Sequence, residues 1–270
     1  MTEKICAVDL GMPTLLEAAG AEESAALCAE LGLQFVELNM NLPEYADPAH
    51  MDREKLCALR EKYGVYFTLH LDERLDGCDF NPLVRNAYQE TLRRALELAQ
   101  EAEMPIVNLH LNHGVYLTLP GKKTYLYAER REEYLQHIDE MRRIGEEGAD
   151  ENIALCVENT DGFLAQEKKA LDLLMKSKRW GLTLDVGHMH SAGYVDDDVY
   201  IVHSGKLRHM HLHDALLMQA GQCHLPLGEG NLDWRDSLRT AETRHCRAVI
   251  EVKTLSALRD SVKTLREAGK

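Results

Sequence analysis

The chain has 270 residues and a formal net charge of −14, with 45% hydrophobic and 6% aromatic side chains. This hydrophobic content supports a substantial core, but no apolar run approaches the roughly 20 residues that a membrane helix needs. The negative charge disfavours nonspecific binding to nucleic acid, because that binding depends on basic side chains that neutralise phosphates. A soluble protein without a membrane segment is therefore predicted.

The first ten residues, MTEKICAVDL, lack a basic flank followed by an apolar stretch and a small-residue cleavage site. A secretory signal is therefore not predicted. The seven cysteines include no CxxC pair, which indicates reduced thiols rather than a disulfide framework. Both observations predict a cytoplasmic protein.

Runs typical of β-strands alternate along the chain with runs of helical periodicity. The predicted strands are 4–10, 35–41, 65–71, 105–112, 153–159, 180–186, 207–213 and 248–253. The predicted helices are 14–31, 53–63, 83–103, 125–148, 165–177, 199–204, 233–243 and 256–268. Asp233 is expected to cap the helix that it begins, and Gly32, Gly64 and Gly269 are expected to end helices.

Eight successive βα units predict an α/β protein with a (β/α)8 TIM barrel, built from residues 1–270 as a single domain. An open doubly wound sheet is the alternative, and it usually has a glycine-rich turn after its first strand. Here that turn reads DLGMPT and lacks the GxGxxG pattern. The barrel is therefore favoured, since eight units suffice to close one.

Six of the predicted strands carry polar side chains on one face, because strand side chains point alternately to opposite faces. These side chains are Thr68, His70 and Asp72; Asn108, His110 and Asn112; Cys156 and Glu158; Thr183 and Asp185; His209, His211 and His213; and Glu251. One such strand could be an exposed edge. Six with acids and imidazoles at the same end indicate strands that converge on a common site.

Four residues at the ends of the last four predicted strands could surround one point: Glu158, Asp185, His211 and Glu251. Three carboxylates and one imidazole suit Mn²⁺, Mg²⁺ or Zn²⁺ and leave room for water or substrate oxygens. Each residue alone could instead belong to a buried polar network or a helix cap. Together they favour a metal site, because burying several unpaired acids is costly.

Five segments follow one another in the second half of the chain: LCVENTDG, GLTLDVGHMHSAGY, HMHLHDA, HLPLGEGNLDW and VIEVK. In this order they resemble the xylose isomerase-like superfamily of barrels, which includes sugar isomerases, ketose 3-epimerases and endonuclease IV. The resemblance covers essentially the whole chain. For the isomerase and epimerase branch it implies one divalent metal, Mn²⁺, Mg²⁺, Co²⁺ or Zn²⁺, held by Glu158, Asp185, His211 and Glu251.

The same branch implies a role in catalysis for two of these residues. Glu158 and Glu251 would exchange a carbon-bound proton of an open-chain sugar or sugar phosphate through a metal-stabilised enediolate. His188 would anchor a substrate oxygen or support Asp185. The resemblance also makes a homodimer or homotetramer the expected assembly.

The endonuclease IV branch implies a larger metal cluster. There, His70 and His110 would hold an additional metal with Glu158, and His188 and His224 would hold another. The chain departs from that branch before its GEG segment, where an Asp-Arg-His triplet is replaced by QCH. The missing acidic ligand weakens the trinuclear site. As non-ligands, the first two histidines would bond substrate hydroxyls or lie satisfied in the barrel mouth.

Several further residues have two interpretations. The GEG segment at 228–230 could present backbone amides to a phosphate or sugar oxygen, or form only a turn. Lys253 could neutralise Glu251 or be solvated. Four histidines in helix or loop patterns are predicted to lie at the surface: His50, His137, His203 and His245.

Three functional hypotheses follow from these residues. The leading one is a divalent-metal-dependent sugar or sugar-phosphate isomerase/epimerase. The alternative is an endonuclease IV-like metal phosphodiesterase that acts on abasic DNA. The third is a barrel that binds a sugar without catalysis. The sequence does not select the sugar, because specificity depends on loop shapes.

Overall fold

A computed structural model of the chain describes residues 5–18, 20–219 and 221–268, and in it eight parallel strands close into a barrel. The barrel strands in chain order are β1 Leu10–Pro13, β2 Phe35–Asn39, β3 Tyr66–His70, β4 Ile106–His110, β7 Ala154–Glu158, β8 Trp180–Asp185, β9 Leu207–Leu212 and β10 Arg247–Ile250. Each strand pairs with its neighbour in the chain order, and β10 pairs with β1 to close the barrel. The predicted TIM barrel is confirmed.

Helices lie between the strands and cover the barrel. They are α1 Ala21–Glu30, α2 Arg53–Tyr63, α3 Pro82–Glu101, α4 Leu126–Glu129, α5 Arg131–Gly148, α6 Ala165–Leu174, α7 Val186–Ser191, α8 Asp197–Val202, α9 Trp234–Arg244 and α10 Leu255–Ala268. Asp233 caps α9 as expected, since its carboxylate accepts a hydrogen bond from the Asp236 amide at 3.1 Å. Gly64 ends α2 in the left-handed conformation, with φ 67°. The predicted helix end at Gly269 lies outside the described residues.

The first strand begins later than predicted. The apolar residues before Leu10 do not form a strand, and the segment LGMP pairs instead, with Leu10 opposite Ala248 and Gly11 opposite Phe35. Residue 4 lies outside the described part of the chain. Glycine and proline are poor strand formers, so the sequence does not favour a strand here. The structure requires a glycine at position 11, because a Cβ there would overlap the Phe35 ring. Close packing against β2 therefore decides which residues form β1, and the following helix begins at Ala21 rather than at residue 14.

A β-hairpin that was not predicted follows β4. Its strands are β5 Tyr116–Leu119 and β6 Lys122–Tyr125, which pair antiparallel outside the barrel. The hairpin ends where the long helix predicted over 125–148 was expected to begin, and α4 and α5 take up the rest of that range. The sequence LTLPGKKTY contains a turn signal, the Pro-Gly pair at 120–121. In the structure Gly121 adopts φ 79° between the two strands.

The prediction that His137 lies at the surface is wrong. Its residue is only 6% exposed on the inner face of α5, and its Nδ1 lies 3.1 Å from the Cys78 carbonyl oxygen. His50 and His245 are exposed as predicted, whereas His203 is partly buried. In the part of the chain that the structure describes, no helix is long and apolar enough to cross a membrane. That residues 1–270 form one domain stays a prediction.

Candidate metal site and active site

The carboxyl ends of the barrel strands bring the chemically active side chains to one level. Across neighbouring strands, Glu158 lies opposite His110 on one side and Thr183 on the other. Asp185 lies opposite His211. Glu251 follows β10 directly, and its amide donates to the Leu212 carbonyl at 3.0 Å. The site therefore lies where barrel enzymes carry their active sites.

The structure brings together the four residues predicted to hold one metal. Ligand atoms of Glu158, Asp185, His211 and Glu251 all lie within 4.8 Å of one another. The Nδ1 of His211 is 3.0 Å from Glu158 Oε1, 3.0 Å from Glu251 Oε2 and 3.9 Å from Asp185 Oδ2. The Glu251 side chain is 13% exposed, and the other three are at most 3% exposed. Solvent therefore screens these charges little.

Burial and the attraction between opposite charges shift the pKa values of these groups in opposite directions. Burial alone would raise the pKa of Glu158, but interactions with His211 and His110 hold that pKa well below its ordinary value. Burial would lower the pKa of His211, yet Glu158, Glu37 and Glu251 raise it well above the ordinary value. The carboxylates thus require a cation among them. A protonated imidazole is one such cation, and a divalent metal is another.

Two unpaired atoms test whether the residues fit a metal. Glu251 Oε2 is buried and accepts no directed hydrogen bond, although His211 Nδ1 is 3.0 Å away, and Nδ1 of His188 is buried without a hydrogen-bond partner. Orphaned buried polar atoms are costly unless a ligand satisfies them. Three carboxylates with one imidazole form a donor set that suits Mn²⁺, Mg²⁺, Co²⁺ or Zn²⁺. The side chains present therefore fit a divalent cation.

Glu37 lies behind this cluster and was not among the predicted site residues. It is 2% exposed on β2, and its Oε2 accepts hydrogen bonds from His209 Nε2 at 3.0 Å and Thr68 Oγ1 at 3.2 Å. Its Oε1 is 2.9 Å from His211 Nε2, although off the direction of a straight hydrogen bond. A carboxylate at that nitrogen favours an imidazole whose Nδ1 faces the other acids. The signal in the sequence was the acid inside the apolar strand FVELN.

His70 and His110 lie on the other side of Glu158. Their Nε2 atoms are 3.2 Å and 3.4 Å from Glu158 Oε2, which also accepts a hydrogen bond from Asn108. The Nδ1 of His70 is 2.8 Å from the Leu71 carbonyl oxygen, to which it can only donate. A neutral His70 would therefore turn a lone pair toward the Glu158 carboxylate. A proton or a metal cation must lie between them, and Glu158 raises the pKa of His70 to about 9 against the effect of burial.

A third group contains His188, His213 and His224, whose ring nitrogens also lie within 4.8 Å of one another. Gly187 permits this approach, because a Cβ there would overlap the His213 ring. Both nitrogens of His213 are engaged: Nδ1 accepts from the His224 amide at 2.8 Å, and Nε2 is 3.0 Å from Asp185 Oδ1. In this arrangement His213 therefore holds Asp185 in place.

The structure distinguishes between the two interpretations given for Lys253 and for the GEG segment at 228–230. Lys253 neutralises Glu251, since its Nζ is 2.7 Å from Glu251 Oε1. The amides of Gly228 and Glu229 bond to Asp214 and to the Pro226 carbonyl oxygen. Those two amides are therefore occupied within the protein. The GEG segment acts as a turn whose Gly228 has φ 97°.

The family model of the xylose isomerase-like TIM barrel matches residues 25–268 of this chain. The chain therefore belongs to the xylose isomerase-like TIM barrel family. An uncharacterized protein of Methanocaldococcus jannaschii is 27% identical over 217 residues, which cover 77% of this chain and 71% of that protein.

Solved structures with the same fold cover nearly the whole chain. A D-tagatose 3-epimerase-like protein has a TM-score of 0.75 and 24% identity, with 96% of each chain covered. The IolI protein with a bound zinc atom has a TM-score of 0.72 and 14% identity, covering 97% of this chain and 96% of that one. The 3-keto-D-glucoside 4-epimerase of E. coli has a TM-score of 0.72 and 15% identity, covering 96% and 99%.

Proposed function

We propose that this protein is a divalent-metal-dependent isomerase or epimerase of a sugar or sugar phosphate. The observation that carries the proposal is the buried group of Glu158, Asp185, His211 and Glu251, whose ligand atoms lie within 4.8 Å of one another. The Lys253 Nζ contacts only Glu251 Oε1 from outside the group, at 2.7 Å, and a divalent cation would balance the carboxylate charge that remains. The structural neighbours that act on sugars, an epimerase of 3-keto-D-glucosides among them, support a sugar as substrate.

In this proposal the four residues hold the metal, which when bound polarises the adjacent carbonyl and hydroxyl groups of an open-chain sugar. Glu158 and Glu251 move the proton on the carbon next to the carbonyl. They come from β7 and from the end of β10, which are separated around the barrel by β8 and β9. Two carboxylates on different sides of a bound substrate can remove a proton from one face and return it to the other.

The surroundings of the two carboxylates differ, which suits different roles. Glu158 Oε2 faces His70, His110 and Asn108, so this carboxylate is held by several groups. Glu251 is held at Oε1 by Lys253, whereas its Oε2 lies 3.0 Å from His211 Nδ1 but outside hydrogen-bond geometry. Because this oxygen accepts no directed hydrogen bond, Glu251 is the better placed group to take the first proton.

Deuterium exchange tests this proposal directly. D-Fructose, D-tagatose, D-allulose and D-fructose 6-phosphate are incubated in D₂O with the protein and Mn²⁺, Mg²⁺, Co²⁺ or Zn²⁺, and proton NMR follows C1 and C3. Exchange at C3 indicates an epimerase, and exchange at C1 an isomerase. Glu251→Gln should abolish exchange, and Glu229→Gln, a change at an exposed glutamate of the nearby turn, should retain it. Near-normal exchange by Glu251→Gln would remove the acid–base assignment.

A second candidate, a metal phosphodiesterase acting on abasic DNA, is favoured by one observation. His70, His110 and Glu158 form a further group with ligand atoms within 4.8 Å of one another, as a second metal would need. The engaged nitrogens of His213 and the net charge of −14 weigh against it. Incision of an abasic-site duplex that depends on Zn²⁺ and on both histidines would establish it. Intact duplex across all four metals would exclude it.

A further inference from the structure

A groove of about 640 Å³ opens between loops that follow β3 and β4 at the end of the barrel that carries the metal-site residues. One wall is the loop that follows β3 and the start of α3, including Arg74, Asp79 and Phe80. The other wall is the loop that follows β4 and the hairpin β5–β6. Since β3 and β4 end at His70 and His110, both walls start within a few residues of the candidate active site.

Aromatic side chains line this groove from both walls. Phe80 and Tyr88 are partly exposed on one side, and Tyr116 and Tyr125 on the other. Tyr116 lies directly opposite Tyr125 in the hairpin, with ring centroids 5.5 Å apart. Because side chains alternate along a strand, the neighbouring Leu117 points to the opposite face of the hairpin. The groove thus receives the face of the hairpin that carries both tyrosines, where the Lys123 Nζ lies 4.6 Å from the centre of the Tyr116 ring.

The hairpin is fixed in place, although all four residues of β5 are exposed. His113, which lies before β5, pairs through Nδ1 with the buried carboxylate of Glu167 at 2.7 Å. Gly114 packs so closely against Tyr127 that a Cβ would overlap its ring. An isolated two-stranded hairpin is only marginally stable, and these contacts anchor its base. These contacts hold the start of the aromatic wall against the barrel.

Polar groups accompany the aromatic faces. The Arg74 side chain is 84% exposed and bonds only to Asp72 among the described contacts, while Asp79 and Asn112 also line the groove. Aromatic rings beside charged and amide groups suit a sugar ring, because its C–H faces stack on aromatic rings while its hydroxyl groups reach polar neighbours at the edges. The Asn112 Nδ2 already donates to the Leu75 carbonyl oxygen at 3.0 Å, so Arg74 and Asp79 are the polar groups offered to a ligand.

We propose that this groove binds a second sugar ring, so that the substrate is a glycoside or disaccharide whose reacting unit lies at the metal site. This inference rests on the proposed function. The ring in the groove stacks on Tyr116 and Phe80 and hydrogen-bonds Arg74 and Asp79. A substrate of one ring would leave the groove unfilled and lose that contribution to binding.

Calorimetric titration of the Mn²⁺-loaded protein with D-fructose, lactulose and isomaltulose tests the subsite. Both disaccharides carry a fructose unit that can open, and they differ in the position of the second ring. A stacking contact of ordinary strength corresponds to a change of up to about tenfold in Kd. We expect at least one disaccharide to bind about tenfold more tightly than D-fructose, and Tyr116→Ala to remove that gain. Tyr116→Phe, which retains the ring, should keep most of it.

Leu117→Ala is the matched control, because it shortens a neighbouring exposed side chain on the other face of the same strand. It should leave both affinities unchanged. Equal affinity for D-fructose and both disaccharides, or a gain that survives both Tyr116→Ala and Phe80→Ala, would overturn the subsite. Failure of the proposed function can be distinguished from failure of the subsite. In the first case no sugar would exchange its C1 or C3 protons, whether or not binding depends on Tyr116.

Discussion

Replacing Glu37 by Gln tests whether the carboxylate behind His211 sets the metal affinity of the site. The substitution keeps the size of the side chain and removes a buried charge 2.9 Å from His211 Nε2 and 3.0 Å from His209 Nε2. The amide nitrogen of the substituted side chain is a donor. It would face at least one of the groups that donate a hydrogen bond to Glu37, so that bond would be lost. The His211 ring then loses the partner that directs Nδ1 toward Glu158 and Glu251.

The magnitude follows from the chemistry of such supporting carboxylates. Losing a group that orients a metal ligand typically costs about 10–100-fold in metal affinity. That is roughly 1.4–2.7 kcal/mol, well within the about 4 kcal/mol of a unit charge pair at 4 Å near a protein surface. We therefore expect the Kd for Mn²⁺ to rise about 10–100-fold in Glu37→Gln.

Isothermal titration of metal-stripped protein with MnCl₂ measures this change, and circular dichroism checks that the variant is folded. Glu167→Gln is the matched control, because Glu167 is equally buried and pairs with His113 but does not contact His211. Its Kd should stay within about twofold of the unaltered protein. A Glu37→Gln protein that binds Mn²⁺ as tightly as this control would refute the role of Glu37.

Three further outcomes are expected. Chelation with EDTA should lower the midpoint of thermal unfolding, and added Mn²⁺ should restore it by binding the folded state. In Asp185→Asn the restoration should be much smaller. An equal recovery of the midpoint would count against Asp185 as a ligand. Gly187→Ala should destabilise the protein by about 1–3 kcal/mol in urea unfolding, because its Cβ would overlap the His213 ring, whereas Gly205→Ala has open space and should be close to neutral. Asp233→Ala should cost about 1 kcal/mol in the same assay by removing the cap of α9, and no change would mean that solvent replaces the lost hydrogen bond.

The sequence alone determined the class of fold and the faces of the strands. Alternation with period two placed Glu158, Asp185 and His211 on the inner faces of their strands, and apolar runs between helical segments gave eight βα units. These features are local, so they can be recognised without knowing which strands are neighbours. The cap at Asp233 was local in the same way.

Only the tertiary structure decided which segments pair and which side chains meet. Gly11 lies in β1 because barrel closure brings it against Phe35, which no local propensity favours. Glu37 joins the candidate site through His211, which lies far away in the chain and on another strand. His213 meets Asp185 and the His224 amide through hydrogen bonds that form only once the loop carrying His224 folds back. Contacts between residues distant in sequence depend on barrel closure and loop packing, and local patterns do not encode either one.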